Sequence, residues 1–296
     1  MLDARGVYRK VTRKIYDFSP EQLANLTSVV WLYRGESRRF LDLVKSYLAR
    51  TLVEAEASHA PARDYLKSVD ALASTLRGFA AKTPDETVQA SWKEFEDAQA
   101  SLVGDVIAWI TSRAPIVAAW RKAGEDNAAL KKSAEKLTPL ADTSRDLVKQ
   151  ADHVFKLAAR VIDACEAAGA KESERWIGRE VAGGRKEVDE ARKAAVEQLK
   201  QVRYFHRQAH WLQEQFPDAK LADVPGLVKL VARKEIKAND WSLTPGRYVG
   251  VAPEEVDEDF DFEAALREIH VELQDLNTEA QKLAATISKN FEDLAA

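Results

Sequence analysis

The sequence predicts an all-α protein, a bundle of long helices or antiparallel coiled hairpins. From residue 61 to about residue 215 the chain is rich in Ala, Lys, Glu, Arg and Leu, with apolar residues at helical spacing. A second signal is a heptad repeat in the last helix. The least helical stretch is PGRYVG, residues 245–250, where Pro245-Gly246 predicts a turn in which the glycine is able to take positive φ.

Composition favours a soluble protein with a real core. The chain has 296 residues, of which 46% are hydrophobic and 31% are charged. No apolar run approaches the ~18 residues of a membrane span, and the N-terminus carries no secretory signal. The single cysteine excludes an internal disulfide and, with five scattered histidines, argues against a zinc site. We expect a cytoplasmic protein without a membrane partner.

The net charge of −4 conceals a polarity between the two ends. Residues 1–50 carry ten Lys and Arg against five acids, whereas residues 251–296 carry three against thirteen. The basic head could meet nucleic acid or the acidic tail of the same chain, and charge alone does not choose. Its dense, irregular part makes Arg9, Lys10 and Arg13 candidate DNA contacts.

We divide the chain into three segments. Residues 1–60 hold an extended entry and the first helices, and residues 61–216 form a helical insertion. Residues 217–296 hold a VPGL/PGRYVG segment and a coiled-coil helix. The first helix begins with Ser19 as N-cap, Pro20 at the first position and Gln22 closing a capping box, and Gly35 ends or bends it.

Helix breaks divide the middle segment into some five to seven helices. The residues that predict them are Pro84, Pro115, Gly124, Thr138-Pro139, Gly169 and Gly183-Gly184. Phe216-Pro217 stops the last of these helices, and a short helix is expected near residues 227–236.

The final helix carries a long apolar seam. From Phe262 to Leu294 the apolar residues are three or four apart, which predicts a rod of roughly 50 Å that packs along another helix. The partner is either another protein or the chain's own helices. The acidic run before it, EEVDEDFDFE, marks a helix start, with a metal site or a basic partner as the alternative.

Few residues indicate an active site. The chain has no GxGxxG, GxxxxGK[ST], HExxH or CxxC. Cys165 is expected to be a packing thiol rather than a nucleophile. His206 and His210 share a helix face without a third ligand, which indicates a metal only weakly. The cations and aromatics of residues 203–211 either stack on bases or, as we favour, pack within the bundle.

Two long strings carry a resemblance to a known family. The string NDWSLTPGRYVGVAPEEVDEDFDFEAALREIHVELQDLNTEAQKLAATISKNFEDL resembles the C-terminal end of the modification subunit, a DNA adenine-N6 methyltransferase, of type I restriction-modification systems. The opening, LDARGVYRKVTRKIYDFSPEQLANLTSVVWLYRGESRRFLDLVKSYL, is similar to the segment after the catalytic domain in that family. The helical middle, with VPGL, is similar to an insertion of the longer members.

The resemblance implies a region without its catalytic part. The family's S-adenosylmethionine loop and its Asn-Pro-Pro-aromatic motif do not occur in these 296 residues. No cofactor is therefore expected in this chain, and S-adenosylmethionine only in the missing catalytic domain. The implied partners are the type I specificity subunit, the catalytic domain of the modification subunit, and DNA in the assembled complex.

The resemblance also assigns residues. The specificity-subunit interface is assigned to the seam residues Leu266, Ile269, Leu273, Leu276, Leu283 and Ile287. Arg247 and Tyr248 are candidates for approaching DNA or the catalytic domain. Two other functions stay open: half of a split methyltransferase active by complementation, and a self-associating helical bundle without a partner.

Overall fold

The computed structural model describes residues 1–10, 12 and 14–252, together with residues 266, 273, 280, 283, 284 and 287. The protein is all-α, as predicted. The helices of the continuous part are α1 (Pro20–Tyr33), α2 (Ser37–Ala57), α3 (His59–Ala80), α4 (Glu86–Arg121), α5 (Asn127–Ala167), α6 (Gly178–Gln215) and α7 (Arg233–Ala238). The strands are β1 (Arg9–Lys10) and β2 (Tyr16–Asp17), which pair antiparallel.

Four long rods form the bundle: α2 with α3, then α4, α5 and α6. Only Ser58 separates α2 from α3, and both helices pack along α6. Neighbouring rods are antiparallel, because contacts made further along one rod involve residues that come earlier in the other. The facing pairs include Phe40 with Phe216, Glu54 with Gln198, Leu72 with Gly184, Arg77 with Glu96, Asp105 with Gln150, and Ala134 with His206.

The rods are long because each presents a continuous apolar stripe. On α4 the buried residues are Val88, Trp92, Phe95, Leu102, Val106 and Trp109, at the three- and four-residue spacing of one helix face. Trp109 is 1% exposed, and its indole N–H donates to the Ser58 hydroxyl over 2.9 Å. At about 1.5 Å per residue, the 41 residues of α5 span roughly 60 Å.

Helix α1 packs on α2 and α6 and also makes polar contacts with them. The Ser19 hydroxyl accepts from the Gln22 amide and the Gln22 side chain accepts from the Ser19 amide, so the predicted capping box is present. The Tyr47 hydroxyl donates to Asn25 Oδ1 (3.0 Å), and the Asn25 side chain donates to Gln208 (2.7 Å). These buried groups satisfy one another, which holds α1 in one orientation.

Three of the expected helix breaks are absent. Helix α4 continues through Pro115, α5 through Pro139 and α6 through Gly183-Gly184, so residues 59–215 form four α-helices rather than five to seven. Both prolines are on exposed faces, where water can reach the carbonyl groups that lose their partner. The breaks near Gly35, Pro84, Gly124 and Gly169 are confirmed.

The segment after α6 returns to the N-terminus. The Met1 amine donates to the Lys229 carbonyl and the Asp3 amide to the Leu227 carbonyl, both over 2.8 Å, which makes a short antiparallel bridge between Leu2 and Val228. The predicted short helix lies later than expected, at 233–238.

The chain divides into two compact units, residues 1–249 and residues 250–296. The boundaries expected at residues 60 and 216 do not appear as unit boundaries. Residue 60 is inside the rod made by α2 and α3, and the segment after 216 contacts the N-terminus.

Helix α4 is the one helix in the described part whose length and composition would allow it to cross a membrane. Only 17% of its most apolar stretch is buried. A helix of a soluble protein can meet the same criterion, so this property alone does not place the chain in a membrane.

Candidate functional site

The seam of the last helix is exposed wherever the structure describes it. Residues 266, 273, 280, 283, 284 and 287 are all helical. The exposed fractions of the large apolar side chains are 55% for Leu266, 54% for Leu273, 61% for Leu283 and 56% for Ile287. The other two predicted seam residues, Ile269 and Leu276, lie outside the described residues. Residues 266 and 273, like residues 280 and 287, are seven apart in the sequence, which is the spacing of a heptad seam.

The basic head forms the small hairpin β1–β2. Arg9 donates to the Asp17 carboxylate over 3.1 Å, and the guanidinium holds the pKa of Asp17 below its usual range. Lys10 follows in β1, and Arg13 is outside the part that the structure describes. The positive charge of Arg9, one of the predicted DNA contacts, is therefore partly neutralised by Asp17.

Two exposed tyrosines accompany these cations. Tyr8 is 48% exposed and Tyr16 is 55% exposed, and their rings meet edge to face with centroids 5.0 Å apart. Exposed aromatic rings beside basic residues can stack on nucleobases. Periodicity did not single these residues out, because the strands are only two residues long.

Of the two candidate contact residues in the PGRYVG segment, one is exposed and the other is buried. Arg247 is exposed at the end of a short 3₁₀ turn, Pro245–Arg247. Tyr248 is 6% exposed, and its hydroxyl donates to the Ser242 carbonyl over 2.6 Å. The predicted contact of Tyr248 with DNA does not fit this placement, because a buried ring that closes its own loop has no surface to offer. Its role here is structural.

The basic head and this turn meet in space. The Arg5 guanidinium lies against Gly246, where a β-carbon would collide with Nη2 of the arginine. Gly246 does not have positive φ, so the lack of a side chain matters here because it lets Arg5 approach closely. The Gly226 amide also donates to the Val249 carbonyl over 2.7 Å. The two segments proposed for DNA contact are thus neighbours at one end of the bundle.

Cys165 is a packing residue, as predicted. Its side chain is fully buried on α5, and burial raises the pKa of the thiol to about 11. A thiol that stays protonated at neutral pH is a poor nucleophile.

The two predicted histidines of α6 lie in different environments. The imidazole of His206 is buried, and its Nε2 is 3.1 Å from the Ala134 carbonyl, which accepts from the N–H tautomer. His210 is on the surface, with Nδ1 3.3 Å from Glu214. Among the described residues no group of three or more His, Cys, Asp or Glu side chains could hold a metal.

The aromatic and basic segment 203–211 packs within the bundle. The Tyr204 hydroxyl donates to Glu21 over 3.0 Å, and the Phe205 ring lies 6.3 Å from that of Tyr47. Arg203 forms an ion pair with Asp142 at 3.1 Å. These contacts join α6 to α1, α2 and α5, which agrees with the packing interpretation that we favoured.

A cavity between α4 and α5 was not anticipated. It has a volume of about 640 Å³ and is lined by Ile116, Ala119, Trp120, Ala123, Lys132 and Lys136, among others. Helical spacing could have indicated one wall, because Ile116, Ala119, Trp120 and Ala123 recur at intervals of three and four. The opposing wall is set by how α5 packs, which no local pattern reports.

Comparisons with known proteins found no match. No protein-family model matches the chain, and no curated protein or solved structure matches it.

Proposed function

We propose that this chain is the non-catalytic, C-terminal helical region of a type I restriction-modification DNA methyltransferase subunit. Its role is to assemble with the specificity subunit and to help clasp DNA for adenine-N6 methylation in the cytoplasm. The observation that carries the proposal is the exposed apolar seam at Leu266, Leu273, Leu283 and Ile287. The two strings that resemble the family supply the identity of the partner.

Burial of the seam residues in a complex would favour association. Fully burying a Leu or Ile side chain contributes about 1.5–3 kcal/mol, and each of these four is more than half exposed. In a coiled coil, each side chain of a heptad seam packs between four residues of the facing helix. A helical partner therefore buries such a seam best. The helical spacer of a specificity subunit has this form.

The assembly is tested by light scattering after size exclusion of the chain alone and of the chain mixed with the specificity subunit from the same locus. We expect a new species with two copies of this chain and one specificity subunit. A mixture that elutes as the two separate components at micromolar concentration would contradict the proposal. Self-association of the chain through the seam would support the helical bundle without a partner.

The seam itself is tested by the double substitution Leu273→Asp and Ile287→Asp. We expect loss of the mixed species with unchanged helical circular dichroism, because both side chains are already exposed and a charge at a packed seam is costly only in the complex. Ile107→Asp is the matched control, since Ile107 is 57% exposed on α4 and lies outside the seam. Equal effects of the two variants would remove the seam from the interface.

DNA contact by the head is tested by replacing Lys10, Arg13 and Arg247 with Ala in the assembled complex. The dependence of log K on log salt should become shallower by about one unit for each phosphate that the protein no longer neutralises. Arg50→Ala, which removes a cation paired with Glu54 in the bundle, is the control. An unchanged slope in the triple variant would separate the head from DNA binding, whatever the assembly result.

A further inference from the structure

The cavity between the end of α4 and the start of α5 has the size and lining of a small-ligand site. Its volume of about 640 Å³ is within the ~300–1,000 Å³ range of ligand pockets. The two antiparallel helices are joined by residues 122–126. At Gly124 an added β-carbon would be 3.1 Å from that of Ala129, so glycine permits this tight connection beside the cavity.

The walls are mainly apolar. Ile116, Ala119, Trp120 and Ala123 line it from α4 and the following turn, and Leu137 lines it from α5. Ile116 and Trp120 are only partly buried, so their apolar surfaces are not fully covered by the bundle. A ligand with an apolar body would remove this surface from water.

The rim is cationic. Lys122, Lys132 and Lys136 all line the cavity and are exposed, and none forms an ion pair with another described residue. Lys132 and Lys136 are one turn apart on α5, so their ammonium groups can reach the same anion.

The acids of the neighbouring turn are already engaged. Glu125 forms ion pairs with Arg38 and Lys45, and these partners hold its pKa at about 2. The Asp126 carboxylate accepts from the Ala129 amide as the N-cap of α5. Neither acid of this turn therefore forms an ion pair with a rim lysine.

We infer that this cavity binds a free single-chain amphiphile with an anionic head, such as a medium-chain fatty acid. The apolar walls take the alkyl chain, and the lysines at the rim take the carboxylate. A nucleic-acid phosphate would use the lysines but would leave the apolar walls uncovered. This site is independent of the seam and of the methyltransferase proposal.

Isothermal titration of the full chain with monomeric octanoate, decanoate and dodecanoate tests the inference. We expect saturable binding at one site per chain, with affinity rising up to roughly fourfold for each methylene added until the cavity is filled. Dodecanol and dodecylamine, with the same chain and a neutral or cationic head, should bind at least about tenfold more weakly than dodecanoate.

Two variants locate the site, each with a matched control. Ala119→Trp narrows the cavity and should weaken dodecanoate binding, whereas Ala118→Trp, at the neighbouring exposed residue that does not line the cavity, should leave it unchanged. Lys136→Glu should weaken binding about threefold to tenfold. Lys186→Glu reverses one exposed charge on α6 and should leave the affinity unchanged.

Three results would overturn the inference. These are the absence of saturable dodecanoate binding at 1 mM, equal binding to wild type and Ala119→Trp, and equal binding of dodecanoate and dodecylamine. A parallel titration with vesicles of anionic phospholipid distinguishes a free amphiphile from a membrane surface. Binding to vesicles without binding of monomeric dodecanoate would assign the patch to a lipid surface instead.

Discussion

At the scale of single residues, burial decides which chemically suggestive side chains remain available. His206, Cys165 and Tyr248 all carry groups that could act on a ligand, and all three are enclosed by the bundle or its loops. Burial lowers the pKa of His206 and raises that of Cys165, so each is held in its neutral form. Arg247, next to Tyr248 in the chain, is exposed.

The lowered pKa of His206 predicts a loss of stability in mild acid. As pH falls below about 6.5, the usual value for histidine, the unfolded chain takes up a proton that the folded chain resists, so the free energy of unfolding falls. The slope should reach at most about 1.4 kcal/mol per pH unit and end below the folded pKa. His59, whose pKa burial also lowers, should add a slope of the same sign.

Urea unfolding at several pH values between 5 and 8 measures this effect. His206→Gln should flatten the pH dependence, because the amide does not titrate and can still donate to the Ala134 carbonyl. His153→Gln, at an exposed position on α5, is the control and should leave the curve unchanged. A wild-type stability that is constant from pH 8 to pH 5 would contradict the expected linkage.

At the scale of elements, tertiary packing overrides local helix-breaking signals. Gly183-Gly184 was expected to break the chain, yet both residues are inside α6. They differ in surroundings: a β-carbon at Gly183 would meet nothing within 4 Å, whereas one at Gly184 would be 3.2 Å from a methyl group of Leu72. The second glycine therefore allows α6 to approach α3 closely.

The two glycines form a matched pair of substitutions. Gly183→Ala should raise the free energy of unfolding by about 0.5–1 kcal/mol, because alanine loses less conformational entropy in a helix. At Gly184 the same gain is opposed by contact with Leu72, so Gly184→Ala should be less stable than Gly183→Ala. Denaturant unfolding of both variants decides this, and equal stabilisation would mean that Leu72 yields without cost.

At the scale of the whole molecule, the two units differ in how their apolar residues are used. In residues 1–249 the apolar stripes of the four rods face one another and form one core. In the last helix, the described large seam residues are exposed. This contrast predicts that the four-rod bundle obtains its stability from its own core, whereas the seam is available for association.

Truncation after Val249 tests this division. We expect the shortened chain to unfold cooperatively, with a midpoint within about 2–4 °C of the full chain, the shift produced by about 1 kcal/mol in a domain of this size. It should also lose association with the specificity subunit. A much lower midpoint or a loss of helical signal in residues 1–249 would show that the last helix belongs to the folding unit.

By itself, the sequence determined the helical class and the capping box at Ser19. These depend on spacing and on groups within a few residues of one another, so they can be found without knowing the partners. Only the tertiary structure decided that the helices continue through Pro115 and Pro139, that Tyr248 is buried, and that Arg5 meets Gly246. Each of those outcomes depends on distant segments, whose contacts outweigh local preferences of a few kcal/mol.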